Sequence, residues 1–506
     1  MLPVDTYLYS AADSRVADAN AIAQLNVPGY TLMQRAAQAA LALLLDRFAG
    51  VGAITVVCGK GNNAGDAYLV ASGAHRLGIE VQLLAAEPPS SLHGDAAKAF
   101  AEATASGLVV DNKIQPLLGG VVEGHKNQSL RGGVIVDGLL GTGLRGAPRA
   151  EYADWIQRIN ASGKPVLSLD VPSGIDADTG AAPGAVVSAT HTLSFITPKI
   201  GLHTGAGLAA AGQRHLDDLG VPSHCFPISA VTSLYWANDM LPGLEVNTYK
   251  HRQGHVVIAG GDDNMPGAVI MAAEAALRVG AGMVTVLTRA QHTSALVSRT
   301  PEVMVLGFSE SDDDARVTEL LSKASCVVLG PGLGRSAWSK FLYDRVEASG
   351  RPALVDADGL YWLAAEGTWQ GGALTITPHV AEASRLLGLQ ADAVQADRPA
   401  AARQLAQQYA CQGVLKGAGS VVFAENDARL AICGHGNPGM ASAGMGDVLS
   451  GVLGGMLGYA GDSFTPNEAL HAAVALHSAA ADHAALKLGQ RSLQATDVIA
   501  ALPSLI

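Results

Sequence analysis

Ser442 to Gly451 read SAGMGDVLSG, with three glycines around a single carboxylate, Asp447, and the apolar run Val448 to Leu457 directly behind it. Glycine permits close backbone approach and positive φ, so several N–H groups can converge on one anion, and a helix starting there adds the positive end of its dipole. A carboxylate placed in such a loop would repel phosphate unless it serves as a base that takes the proton from an attacking hydroxyl. That is the chemistry of a phosphoryl-transfer site with Asp447 as base. Taken alone, the motif reads better as a glycine helix cap whose first-turn aspartate is held by the dipole.

Other motifs change that balance. Gly413 to Val422, GVLKGAGSVV, reads as strand, glycine turn and strand, whose backbone amides from Lys416 to Ser420 are candidates to hold a nucleotide's phosphate, with Lys416 adding charge. Alone, it is a hairpin. GPGLG at Gly330–Gly334 follows the apolar run CVVL, and TPHVAE at Thr377–Glu382 follows LTIT and opens a helix, offering His379. In the first half, GKGNNAGD (Gly59–Asp66) follows ITVVC, and DVPSGIDADTG (Asp170–Gly180) follows VLSLD. VIVDGLLGTGLRGAP, from Val134, contains a GxGxxG match at Gly141–Gly146. A Rossmann dinucleotide turn is rejected there: three residues separate Asp137 from the first glycine, Pro148 sits where the helix would begin, and Asp170 lies too far on to be the ribose-binding acid.

These motifs need a scaffold that ends many strands in one row. Ile54–Cys58, Val81–Leu84, Val134–Asp137 and Val166–Asp170 are apolar enough to be buried on both faces, as parallel strands are, and Ala67–Leu77, Gly94–Ala105 and Tyr152–Ile159 read as helices between them. The alternation predicts a doubly wound α/β sheet. It breaks down around Val221–Asn247 and restarts with His255–Ala259, Met283–Thr288, Cys326–Leu329, Ala353–Asp356 and Leu374–Thr377, ending in helices such as Asn467–Lys487. Two α/β domains are expected, 1–225 and 249–506, joined by a linker region at 226–248. With 506 residues, 49% of them hydrophobic, the chain can build two cores. The net charge of −12, from 33 basic against 45 acidic residues, argues against nucleic acid and anionic membrane as partners. Five scattered cysteines and an N-terminus, MLPVDTYLYSAADSR, without a basic start and apolar core point to a reduced, cytoplasmic setting.

The set GGDDNMPGAVIMAAEAALRVGAG, GPGLG, TPHVAE, LKGAGSVV and AGMGDVLSG, over Tyr249 to Leu502, resembles the ribokinase-like superfamily, specifically its NAD(P)H-hydrate dehydratase branch. The resemblance implies that Lys416, Gly417, Ala418, Gly419, Ser420 and Gly446 hold the adenine nucleotide. It places Ala268, Gly332, His379 and Asp447 against the hydrated nicotinamide. ADP is the implied phosphoryl donor, with Mg2+ accompanying it.

GNNAGD, VDGLLGTGLRG, DVPSGIDADTG and SFITPK, over Tyr7 to Leu219, resemble the NAD(P)H-hydrate epimerase family and imply a Rossmann-like domain. Binding of the hydrate is then expected from Asn62, Asn63, Ala64, Gly65 and Asp66, from Gly141, Thr142, Gly143, Leu144, Arg145, Gly146 and Ala147, and from Asp170. Asn63, Asp137 and Ser173 are the implied K+ ligands, and Asp170 the acid/base. Ala64 and Ala67 depart from the family's glycines, and their methyl groups are expected to crowd the loop. The combined expectation is a bifunctional repair enzyme for hydrated NADH and NADPH, acting as a homo-oligomer on small-molecule substrates. The alternatives are a ribokinase-type kinase of a vitamin precursor's hydroxymethyl group and a nucleotide-binding module without catalysis. The first leaves the N-terminal half unexplained, and the second leaves Asp447, Asp170 and Asp137 without a purpose.

Overall fold

The computed structural model describes residues 7–111, 130–309, 314–459 and 464–506, and the chain forms two compact units that divide between Val231 and Thr232. The first six residues of the expected N-terminal domain lie outside the described residues.

The first unit is built on seven parallel strands in the order Val110–Asp111, Glu80–Ala85, Ala53–Cys58, Val134–Gly138, Val166–Leu169, His191–Phe195 and Gln213–Asp217. Both faces are covered, which explains the unbroken β-branched runs. Ile54, Val56 and Val136 pack with the helices Gly29–Arg47, Asn62–Arg76 and Gly94–Ala105, whereas Val57, Ile135 and Val166 pack against Tyr152, Trp155 and Ile156 of the helix Ala150–Ala161. The chain reverses its direction of growth between Ala53–Cys58 and Val134–Gly138, and a doubly wound sheet opens its ligand crevice beyond the strand ends at that switch.

The helix after Ala53–Cys58 starts at Asn62, five residues before the expected Ala67. Asn, Gly and Asp are poor helix formers, but tertiary burial outweighs propensity here, since Ala64, Ala67 and Tyr68 are fully buried. Asn62 and Asn63 thus occupy the first helical turn. The methyl groups of Ala64 and Ala67 do not crowd the loop; they belong to the core. Ala67 is accommodated because position 138 is glycine, where an added Cβ would lie 2.4 Å from the Ala67 Cβ. Gly138→Ala is therefore expected to destabilise this unit by about 1–3 kcal/mol through overpacking, lowering its thermal transition, and Ala67→Gly in the same chain should restore part of the loss. Gly141–Gly146 lies in an irregular segment and the next helix begins only at Ala150, an arrangement unlike a dinucleotide strand–helix turn.

In the second unit, seven strands run parallel in the order Met304–Phe308, Met283–Arg289, His255–Ala259, Cys326–Leu329, Ala353–Val355, Leu374–Ile376 and Gln412–Leu415. Val421–Ala424 and Asp427–Cys433 extend the sheet antiparallel. Val231–Leu234 runs beside Asp427–Cys433, so the region 226–248, expected from the sequence to be a linker, contributes a strand. The switch falls between His255–Ala259 and Cys326–Leu329. The helix Met445–Tyr459 lies directly over this sheet and against the helix Pro266–Arg278, because its glycines leave room: a Cβ on Gly451 would sit 2.1 Å from the Ala272 carbonyl oxygen, and one on Gly454 2.3 Å from a Val328 methyl. The glycine-rich sequence behind Asp447 thus fixes where Asp447 stands. Among the described residues all five cysteines are free and buried, and no helix is long and apolar enough to cross a membrane.

Candidate active sites

The first site is a cleft of about 750 Å³ at the switch of the seven-stranded sheet. It is lined by Asn62, Asn63 and Asp66 from the first turns of one helix, by Gly141, Thr142, Gly143, Leu144, Arg145 and Ala147, and by Asp170. Ala64, Gly65 and Gly146, expected beside them, are not among the lining residues; Ala64 is buried, and a Cβ on Gly65 would press on Met33, 2.6 Å away. Many other lining residues lie outside the expected set, Lys199 and Asp18 among them. Lys199, nearly buried, places its ammonium 2.5 Å from Asp170 Oδ1, and Asp18 comes from the helix Ala11–Leu25. SFITPK contains Lys199, and a lysine closing a strand-end motif opposite a strand-end aspartate is a usable signal; Asp18 has no local motif at all. Burial, together with the charges of Asp170 and Asp18, pushes the Asp66 carboxyl well above the usual range, with Lys199 opposing.

Beneath the cleft, Asp137 is fully buried at the end of Val134–Gly138. It accepts hydrogen bonds from Ser173 Oγ (2.6 Å), Ser173 N–H (2.9 Å) and Ser168 Oγ (2.9 Å). The structure brings Asn63 to the same place: its Nδ2 donates to the Leu140 carbonyl at 2.9 Å, while its Oδ1 is buried with no hydrogen-bond partner. Ser173 Oγ lies 3.2 Å from the same Leu140 oxygen. An orphaned amide oxygen beside a carboxylate whose donors are all neutral suits a monovalent cation bound by oxygen.

The second site lies at the strand ends of the second sheet. Asp447 stands in the first turn of Met445–Tyr459, half-buried. Burial, and next the charge of Asp356, push its carboxyl up to about 6, against the pull of Lys416. Asp356, fully buried just after Ala353–Val355, meets Lys416 Nζ at 2.7 Å and Ser450 Oγ at 2.7 Å. Burial works against its ionisation, but the Lys416 charge and these hydrogen bonds hold it below the ordinary range. Lys416 thus turns inward from the glycine turn, and a Cβ on Gly446 would lie 3.5 Å from its Nζ. The loop 416–420 itself joins two antiparallel strands, with Ser420 Oγ donating to the Gly417 carbonyl. The buried Arg398 guanidinium braces that loop through the Leu415 and Lys416 carbonyls.

His379 caps the helix Val380–Leu387: its Nδ1 accepts the N–H groups of Ala381 and Glu382, which leaves Nε2 as the ring atom able to donate. Glu382, 3.9 Å from Lys416, is raised to about 7, first by burial and then by Asp356, with Lys416 opposing. Ala268 and Gly332 adjoin one another at the switch, where a Cβ on Gly332 would lie 3.1 Å from the Ala268 Cβ. Sequence reasoning passes over Asp356 and Glu382. Asp356 ends a strand just as Asp137 does, and that repeated placement was the available signal.

Two doubly wound sheets, each carrying carboxylates and a lysine paired with one of them at its strand ends, the second with a carboxylate at a helix N-terminus, define a two-centre α/β enzyme. Residues 256–504 match the family described as NAD(P)H-hydrate dehydratase and residues 29–201 the one described as YjeF-related protein N-terminus. The bifunctional NAD(P)H-hydrate repair enzyme Nnr of Coxiella burnetii is 41% identical over 505 residues, 99% of each chain. Its Escherichia coli K12 namesake is 40% identical over 513 residues, 99% of this chain and 94% of that one. Among solved structures, an ADP/ATP-dependent NAD(P)H-hydrate dehydratase from Bacillus subtilis co-crystallised with ATP/Mg2+ aligns with 54% of this chain and 96% of its own, at a TM-score of 0.48 and 28% identity. The chain belongs to the bifunctional NAD(P)H-hydrate repair enzyme family.

Proposed function

We propose that this chain interconverts the R and S epimers of hydrated NADH and NADPH in its first unit and dehydrates the S epimer in its second, with ADP as phosphoryl donor. The placement of Asp447 carries the reading: a carboxylate raised to about 6 at a helix N-terminus, beside Lys416, can be ionised at neutral pH and still accept a proton. Asp447 takes the proton from the hydroxyl of the hydrated ring, and that oxygen attacks the terminal phosphoryl group of ADP as AMP departs. Hydroxide, a poor leaving group, has then become phosphate. Loss of phosphate and of a ring proton restores NAD(P)H. The loop Lys416–Ser420 and Gly446 support the nucleotide, whose negative charge the helix N-terminus and Lys416 offset. Ala268, Gly332 and His379 face the nicotinamide. Lys416 and the helix N-terminus suit the diphosphate, and Mg2+ would be held mostly by phosphate and water, since the described residues offer no group of three metal-ligating side chains; there it would supply charge neutralisation.

In the first unit Asp170 serves as the acid/base, and the residues of the 62–66 and 141–147 segments hold the hydrate. Asn63 Oδ1, Asp137, Ser173 and the Leu140 carbonyl would hold K+, which supplies charge for the buried carboxylate. Exchange of K+ for Li+ is expected to lower epimerisation at least about tenfold, and Asn63→Ala to remove the ion dependence; equal rates in both salts would exclude the ion. Supplying the full chain with the R and S hydrates and ADP, and following NADH absorbance with phosphate release, tests the whole reading. Phosphate without NADH would indicate a kinase instead. Stable accumulation of the R epimer would remove the epimerase function. The chain is expected to work on these substrates as a homo-oligomer in the cytoplasm.

A further inference from the structure

The adjacent parallel strands Val166–Leu169 and His191–Phe195 finish in matching three-residue turns. Val171 N–H donates to the Leu169 carbonyl at 2.8 Å around Asp170, and Thr197 N–H to the Phe195 carbonyl at 2.7 Å around Ile196. Both central residues have φ 63°. A γ-turn with positive φ is the rare, strained form, and a β-branched isoleucine in that region is an outlier. Strain of this kind persists only where the surroundings over-determine it, and it gathers at functional sites.

The surroundings here are a set of cross-links between the two turns. Asp170 N–H donates to the Leu193 carbonyl at 2.7 Å, and Ser194 Oγ to the Asp170 carbonyl at 2.9 Å. Lys199 spans both turns: its Nζ donates to the Phe195 carbonyl at 2.7 Å and lies 2.5 Å from Asp170 Oδ1. Its side chain is only 2% exposed, yet it lines the cleft together with Asp170 and Ile196. The cleft also presents Asp18 and Asp66. Loss of the Lys199 ammonium would release Asp170 Oδ1 from its ion pair inside the cleft.

We propose that Lys199 is a positioning residue of the epimerase site: it ties the two strained turns together and fixes Asp170 through Oδ1, leaving Oδ2 to the substrate. This rests on the epimerase reading of the first unit. The side-chain stem fills a buried slot, so Lys199→Met keeps the volume and removes the charge.

The test uses the full chain with purified R hydrate of NADH, measuring kcat and KM for interconversion, and the S hydrate with ADP for the second unit. Lys199→Met is expected to lower epimerase kcat at least about 100-fold with KM changed less than about threefold, because orientation of the acid/base and not affinity is lost. Lys199→Arg should recover at least about a tenth of the rate. Dehydration of the S hydrate should match wild type in both. If Lys199→Met does not fold, Lys199→Gln, which keeps an N–H donor without charge, is expected to run at least about tenfold below wild type. Wild-type kcat in the uncharged variant, a loss confined to KM, or an arginine variant no better than methionine would overturn the proposal. A wild-type chain that never interconverts the epimers would overturn the epimerase reading itself and this inference with it.

Discussion

Asp447→Asn is expected to slow NADH recovery from the S hydrate by about 10³-fold or more, the range in which loss of a general base falls, while epimer interconversion continues at the wild-type rate. Asparagine keeps the shape of the side chain at the start of Met445–Tyr459 and removes only the proton acceptor. The same residue sets a pH dependence. The active form is the ionised one, and burial followed by Asp356 raises the carboxyl to about 6, so the rate should be level above that value. It should fall about tenfold per pH unit below it. A single-turnover series with saturating ADP measures this directly. A rate level down to about pH 4 would remove Asp447 from the role of base.

Asp170→Asn should do the reverse, reducing R to S interconversion by about 10²- to 10⁴-fold with dehydration of the S hydrate intact. It should also cost stability. Lys199 is almost wholly buried against Asp170, and removing one member of such a pair leaves a charge without its counterpart. The first thermal transition is therefore expected to fall, and Asp170→Asn combined with Lys199→Met should lie higher than Asp170→Asn alone. An Asp170→Asn chain that lost both activities while folded would show that the two chemistries do not separate by unit.

The glycine motifs and strand-end aspartates were legible because they are local: a glycine turn or a carboxylate after an apolar run announces its position within a few residues. Asp447, Asp170, Asp137, Asn63 and the Lys416–Ser420 loop all stand at strand ends or helix starts for that reason. What the sequence concealed was set by contacts over long separations. Asp18 reaches the first cleft from a helix that begins at Ala11, far from the motifs it joins. The direction of Lys416 depends on Asp356, 60 residues away, and nothing in LKGAGSVV indicates that its ammonium points inward. The early start of the helix at Asn62 follows from burial rather than from its own residues. The expected crowding by Ala64 and Ala67 fails because both methyl groups turn into the core, and the gap that takes Ala67, at Gly138, comes from a strand distant in sequence.

The positive φ at Asp170 sets the needs of folding against those of chemistry. At that position glycine would adopt the turn without penalty, but it would leave the buried Lys199 ammonium without its counterpart. The strained turn and the buried pair are therefore tied together in descent. A copy of this protein freed from its reaction would shed Asp170 at little cost only along with Lys199, so positions 170 and 199 should change as one in retired members of the family.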